Sequence, residues 1–106
     1  MVAIAMIGAM TPATASPDNP PELLSFSIVH VVDDYWLLYG EVNDELPEYC
    51  IVFFGGVLEG YGTCADADGT FSYCIEIPPS VVGYVSAQAF DIRDQLSDEL
   101  YDHVYQ

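Results

Sequence analysis

Carboxylates and thiols are the side chains of this sequence that could do chemistry, and the segment CADADGTFSYC, residues 64–74, contains both. Its DADG core suggests a calcium loop, because an EF-hand takes oxygen ligands at positions one, three and five, Gly at six and Glu at twelve. With Gly69 at position six, however, position one is Cys64 and position twelve is Ile75. The EF-hand interpretation therefore fails. We expect instead a four-residue hairpin turn in which Gly69 has a positive φ and the Asp side chains accept hydrogen bonds from turn amides.

The three cysteines, Cys50, Cys64 and Cys74, allow at most one disulfide within the chain. If residues 66–69 form the turn of a hairpin, Cys64 lies opposite Phe71 and faces the core, whereas Cys74 faces outward. Side chains on opposite faces of a sheet cannot be bridged. Cys50 and Cys64 are the best candidate pair, provided that both point inward, but free buried thiols are the favoured prediction.

Catalytic residues are not indicated by any spacing in the chain. A nucleophilic cysteine needs a histidine partner, and His30 and His103 fall in the two terminal strand segments without a matching acid or thiol. The tripeptide DGT at 68–70 contains the residues of the aspartic-protease signature in a different order. No pattern in the sequence indicates a carboxyl group with the raised pKa that a glycosidase acid requires. We therefore expect no enzymatic activity and no cofactor, apart from the calcium ion discussed below.

Short β-strands must position these residues, because apolar residues recur with a period of two from Leu23 onward. Seven segments separated by Gly, Pro, Asp and Asn are predicted as β1 to β7, namely 23–30, 35–44, 50–54, a short strand ending near residue 64, 70–78, 83–91 and 100–106. Strands about ten residues apart favour an all-β fold, an antiparallel two-sheet Ig-like β-sandwich of about seven strands. A small β-barrel is the alternative.

The alternation of apolar and polar residues also predicts which side chains face the core. The expected inward residues are Leu24, Phe26 and Ile28 in β1, Trp36, Leu38, Gly40 and Val42 in β2, Phe71, Tyr73, Ile75 and Ile77 in β5, and Val85, Ala87 and Ala89 in β6.

The N-terminal segment, residues 1–21, differs in character from the strand region. Its apolar run from Val2 to Met10 suits the core of a signal peptide and is too short to span a bilayer, which takes about 20 residues. No Lys or Arg precedes the run, so a weak export signal and the tail of an upstream segment both stay open. The prolines up to Pro21 predict a stiff linker, and we place the folded domain at 22–106.

The charge balance excludes several partners. One basic residue, Arg93, stands against 17 acids, giving a net charge of -16. Repulsion opposes polyanions, so we expect no binding of nucleic acid and no membrane insertion of the folded domain. The carboxylates suit cations, salty surroundings or basic partners, or serve only as a solubilising surface.

Four successive segments, GEVNDELPEY, FFGGVLEGYG, ADADGTFSYCIEIP and GYVSAQAFDIRDQLSDE, resemble the bacterial Ig-like repeats that occur in tandem in very large cell-surface proteins. The resemblance covers roughly residues 23–105, and its most specific parts are G-x-V-x-D-E at 40–45, D-x-D-G-T-F at 66–71 and V-x-A-x-A-x-D at 85–91. It implies a non-catalytic structural or adhesive module, a spacer or interaction domain of a bacterial cell-surface or secreted protein. Its partners would be neighbouring domains or surface proteins.

The acids cluster by loop. In an Ig-like sandwich the β2–β3, β4–β5 and β6–β7 loops share one end, which we call the acidic pole. It carries nine acids, against three in the other loops. Such hard oxygen ligands suit Ca²⁺, which would neutralise repelling carboxylates between consecutive modules. The alternative function is thus a module that binds a cation or another ligand at this pole, unless the loops are merely solvated. The expected weak calcium ligands are Asp44, Glu45, Asp66, Asp68, Asp91, Asp94 and Asp98.

Overall fold

The computed structural model describes residues 19–106. Positions 1–18 of the predicted signal-like or linker segment therefore lie outside the described residues. All seven predicted strands are present, with one turn of 3-10 helix at Pro47–Tyr49. The strands are β1 (Glu22–Val32), β2 (Tyr35–Asn43), β3 (Ile51–Gly56), β4 (Gly62–Cys64), β5 (Thr70–Glu76), β6 (Gly83–Phe90) and β7 (Leu100–Val104). Within residues 19–106, no helix is long and apolar enough to span a membrane.

The strands form two antiparallel sheets, which confirms the predicted two-sheet sandwich. One sheet has three strands in the order β1-β2-β5, and the other has four in the order β4-β3-β6-β7. The short strand β4 therefore pairs with β3. In the constant-type immunoglobulin arrangement the fourth strand lies instead beside the fifth.

The position of β4 corrects the prediction for Cys64. Cys64 pairs with Ile51 across the β3–β4 ladder, and both side chains are exposed on the outer face of the four-stranded sheet. The prediction that Cys64 faces the core was wrong because it assumed a β4–β5 hairpin, whereas these strands belong to different sheets. Cys74 is exposed as predicted, Cys50 is buried, and all three thiols are free, so the candidate pair of Cys50 and Cys64 is not formed.

The core lies between the two sheets and follows the predicted alternation in β2, β5 and β6. Phe54 from β3 stacks on Phe26 of β1 and on Tyr73 of β5, with ring centroids 5.8 and 5.9 Å apart. The other buried apolar residues are Leu23, Trp36, Leu38, Val42, Cys50, Val52, Leu58, Ala65, Phe71, Ile77, Val85, Ala87, Ala89 and Val104. Burial of this apolar surface is the main stabilising contribution to such a fold.

Leu24 departs from the predicted pattern. The register passes from Leu23 opposite Val42 to Ser25 opposite Glu41, so a β-bulge leaves Leu24 unpaired. Leu24 is consequently 55% exposed, while Leu23 is buried in its place. The prediction that Leu24 faces the core was wrong, because an extra residue in one strand reverses the alternation on one side of the bulge.

The first and last strands run in the same direction. β1 begins at Glu22, opposite Asn43 and beside the β2–β3 loop of the acidic pole. β7 ends at Val104, opposite Gly83 at the start of β6, which is the other end of the sandwich. The two strands pack against each other, and the backbone N–H of Ile28 donates a 2.9 Å hydrogen bond to Oδ2 of Asp102.

Candidate functional site

The acidic pole is assembled from loops that meet at one end of the sandwich. A small cavity of about 190 Å³ lies between the β2–β3 and β6–β7 loops. Its lining comprises Asp44, Glu45, Leu46, Asp91, Ile92 and Arg93. Three predicted calcium ligands, Asp44, Glu45 and Asp91, are thus brought to one cavity together with the single arginine.

Asp91 has a structural role in this pole. Its side chain is only 3% exposed, and its Oδ1 accepts hydrogen bonds from the backbone N–H groups of Arg93 and Gln95, each at 2.9 Å. The backbone N–H of Asp91 donates to the carbonyl oxygen of Gln95 at 3.1 Å. A buried carboxylate that accepts backbone N–H groups fixes the course of a loop, and Asp91 closes the β6–β7 loop in this way.

Cys50 lies beneath the pole and is fully buried. Burial, followed by the negative charge of the neighbouring Asp44 carboxylate, raises the pKa of the Cys50 thiol to about 12, with smaller contributions from Asp91 and Glu45. The thiol is therefore protonated at neutral pH. Since the thiolate is the nucleophile and metal ligand, Cys50 is an inert core residue in this environment.

The β4–β5 segment forms a turn at residues 66–69 as predicted, but the turn connects strands of two different sheets and is not a hairpin turn. Gly69 has a φ of +89°, and its N–H donates to the carbonyl oxygen of Asp66 at 2.9 Å. Oδ1 of Asp68 accepts from the backbone N–H and the hydroxyl of Thr70, at 3.0 and 2.7 Å. These two hydrogen bonds lower the pKa of Asp68. The N–H of Val42 donates to the carbonyl oxygen of Gly69, which joins the turn to the end of β2.

The remaining predicted ligands are exposed and do not complete a metal site. Asp98 lines a cleft with Pro20, Pro21 and Glu22 where the chain enters β1, and Asp66 and Asp94 are exposed in their loops. Among residues 19–106, no group of three or more His, Cys, Asp or Glu side chains is arranged to hold a metal ion. Calcium binding at the pole therefore stays a prediction.

A second candidate site, which the sequence reasoning missed, is a groove on the outer face of the four-stranded sheet. It has a volume of about 570 Å³, and its floor contains Gly55, Gly62 and Ser86. Gly55 and Ser86 are partners in the β3–β6 ladder, and a Cβ at Gly55 would lie 2.5 Å from the Ser86 hydroxyl oxygen. Because Gly55 has no side chain, the space above Ser86 on the outer face of the sheet stays open.

Aromatic rings and two carboxylates surround this floor. Phe53 packs on Phe90 on the outer face, with ring centroids 5.6 Å apart. Tyr61 contributes to the lining, but it lies opposite the buried Phe54 and its ring packs inward on Tyr73 of the other sheet, at 6.3 Å. The carboxylates of Glu59 and Glu99 also line the groove.

The only local signal for this groove is the segment FFGGVLEGYG, residues 53–62, which combines four glycines with three aromatic residues. Because glycines also separate the predicted strands, the segment by itself indicates a turn and not a groove. The place of these glycines on a shared outer face depends on the pairing of β3 with both β4 and β6.

Comparisons with known proteins do not identify the chain. No family model, curated protein or solved structure matches it. The resemblance to bacterial Ig-like repeats therefore rests on the sequence motifs quoted above and stays a prediction.

Proposed function

We propose that this chain is a non-catalytic structural and adhesive module of a bacterial cell-surface or secreted protein, and that its first task is to act as a spacer. The observation that carries the proposal is the course of the terminal strands. β1 starts at the acidic pole, β7 ends at the opposite pole, and the two strands lie side by side in the same direction. A spacer needs this arrangement, because force and distance must pass from one end of the module to the other.

The same arrangement supports resistance to load. Tension between the start of β1 and the end of β7 pulls the two strands past each other in shear. The ladder between β1 and β2 runs from the pair of Glu22 and Asn43 to the pair of Val32 and Tyr35, so its hydrogen bonds share the load. The Asp102 carboxylate adds a side-chain bond directly between β7 and Ile28 of β1.

The charge of the chain also fits a role outside the cell. A net charge of -16 keeps neighbouring copies apart and soluble when many modules are crowded on one surface. Strongly acidic surfaces occur in many kinds of protein, so the charge supports the proposal together with the course of the terminal strands.

Single-molecule force spectroscopy on the chain, held through its two termini, tests the spacer proposal. We expect one discrete unfolding event. Asp102→Ala should lower the unfolding force, because it removes the bond to the Ile28 N–H, whereas Glu76→Ala, which removes an exposed carboxylate from β5, should leave the force unchanged. Gradual extension without a discrete event would refute the proposal, and equal forces for both variants would refute the shear explanation.

A further inference from the structure

We propose that the groove on the four-stranded sheet binds the Lys or Arg side chains of an extended basic segment on a partner protein. This inference rests on the proposed function and deepens its adhesive part, since it assigns a surface and a partner chemistry. The groove crosses the sheet between Glu99, which precedes β7, and Glu59 in the β3–β4 turn.

The shape of the groove suits a side chain laid across the strands. Gly55 and Gly62 have no side chains, and the hydroxyl group of the largely buried Ser86 is the polar group on the floor. The stems of Lys and Arg are apolar and flexible, and they gain from packing on apolar surface while their charged ends remain near water.

The Phe53 ring supplies attraction for a cation. Phe53 lies on the outer face of the sheet and lines the groove, and its contact with Phe90 holds the ring in place. A cation over an aromatic face is attracted by the ring quadrupole, and a ring already in place loses little conformational entropy on binding.

The two carboxylates give the groove its charge. The phenol of Tyr101 donates a 3.2 Å hydrogen bond to Glu99, which orients that carboxylate at the β7 end. The only basic residue of the chain, Arg93, lines the cavity at the acidic pole and does not line the groove. Charge complementarity therefore favours a cationic occupant.

The two carboxylates lie on different strand connections, so a partner segment needs two basic residues to meet both. In an extended segment, residues i and i+4 lie on the same side and about 13 Å apart. A segment with basic residues at these two positions therefore presents both charges to one face of the sheet.

The test is a titration of the intact chain with a fluorescent peptide carrying Lys at positions i and i+4 between Ser and Gly residues. The double variant Glu59→Gln/Glu99→Gln should weaken binding about fivefold at about 50 mM salt, where screening is modest. The matched control is Glu41→Gln/Glu76→Gln, which removes two exposed carboxylates from the opposite sheet. The control has the same net charge and should change binding less than about twofold.

A second pair of variants tests the aromatic contribution. Phe53→Leu should weaken binding about threefold, and Phe53→Tyr should preserve it, because an aromatic ring attracts the cation and an aliphatic side chain does not. The matched control is Tyr39→Leu, since Tyr39 is 44% exposed on the other sheet. Far-UV circular dichroism and a thermal melt of each variant verify that the fold is kept.

Two results would overturn the inference. One is equal weakening by the groove and control double variants, which would mean that the peptide follows the net charge alone. The other is the absence of binding by the folded wild-type chain. Either result refutes the proposed binding of basic side chains at the groove. If the force experiment shows a discrete unfolding event at the same time, the spacer proposal is unaffected.

Discussion

The acidic pole and the groove on the four-stranded sheet both place carboxylates beside apolar surface, but they use them differently. At the pole, Asp91 and Asp68 accept hydrogen bonds from backbone N–H groups and so hold the loops. In the groove, Glu59 and Glu99 line an open depression beside aromatic rings. A high density of acids therefore does not by itself locate a binding surface, because many carboxylates are already occupied in holding the fold.

The largest expected effect concerns the thiol beneath the pole. Because burial and Asp44 raise the pKa of Cys50 from 9.0 to about 12, its thiolate fraction at about pH 8 should be about a thousandfold below that of an ordinary thiol. A thiol reagent should modify exposed Cys64 and Cys74 quickly in the native chain and Cys50 only when the chain unfolds.

The pH dependence of stability follows from the same shift. The pKa of Cys50 is higher in the folded chain than in the unfolded chain. The stabilisation by the neutral Cys50 thiol is therefore fully present below about pH 9, the unfolded value, and is lost as the pH rises towards 12.

The predicted difference in thiol reactivity is measured by mass spectrometry, which counts the modified thiols after timed labelling of the native chain. Three thiols reacting at similar rates in the native protein would contradict a closed interior at the pole.

The next largest effect should come from removing a carboxylate that holds a loop. Asp91→Ala leaves the N–H groups of Arg93 and Gln95 without their acceptor, which should cost about 3 kcal/mol in the free energy of unfolding. Glu59→Ala in the groove should change it by less than about 0.5 kcal/mol. Urea denaturation measures both values, and similar losses would remove the distinction between the two regions.

Local patterns predicted the parts of the fold that local physics decides. The period of two in β2 placed Trp36, Leu38 and Val42 in the core, and the DADG segment placed Gly69 at a positive φ. Both follow from steric limits within a few residues. The sandwich class followed from the number and spacing of such segments.

Features that depend on strand pairing were not predictable in this way. The exposure of Leu24 results from a bulge in its register with β2, and that of Cys64 from the pairing of β4 with β3. The groove combines residues from Phe53 to Glu99, which approach each other only after four strands have paired. The segment FFGGVLEGYG contains part of the lining, but a single sequence does not show which strands pair, so the groove could be located only from the structure.

The smallest effect concerns the turn at the pole. The hydrogen bonds from Thr70 lower the pKa of Asp68 below its ordinary value of 3.8. The stabilisation is therefore present above about pH 4 and is lost as the pH falls through the lowered folded pKa. The melting temperature of Asp68→Ala should be below that of the wild type at neutral pH, and the difference should shrink in acid. Asp66→Ala, which removes the other exposed Asp of the turn, is the control and should have no such pH-dependent deficit. A difference for Asp68→Ala that stays constant from neutral pH into acid would show that its carboxylate does not hold the turn as a charged acceptor.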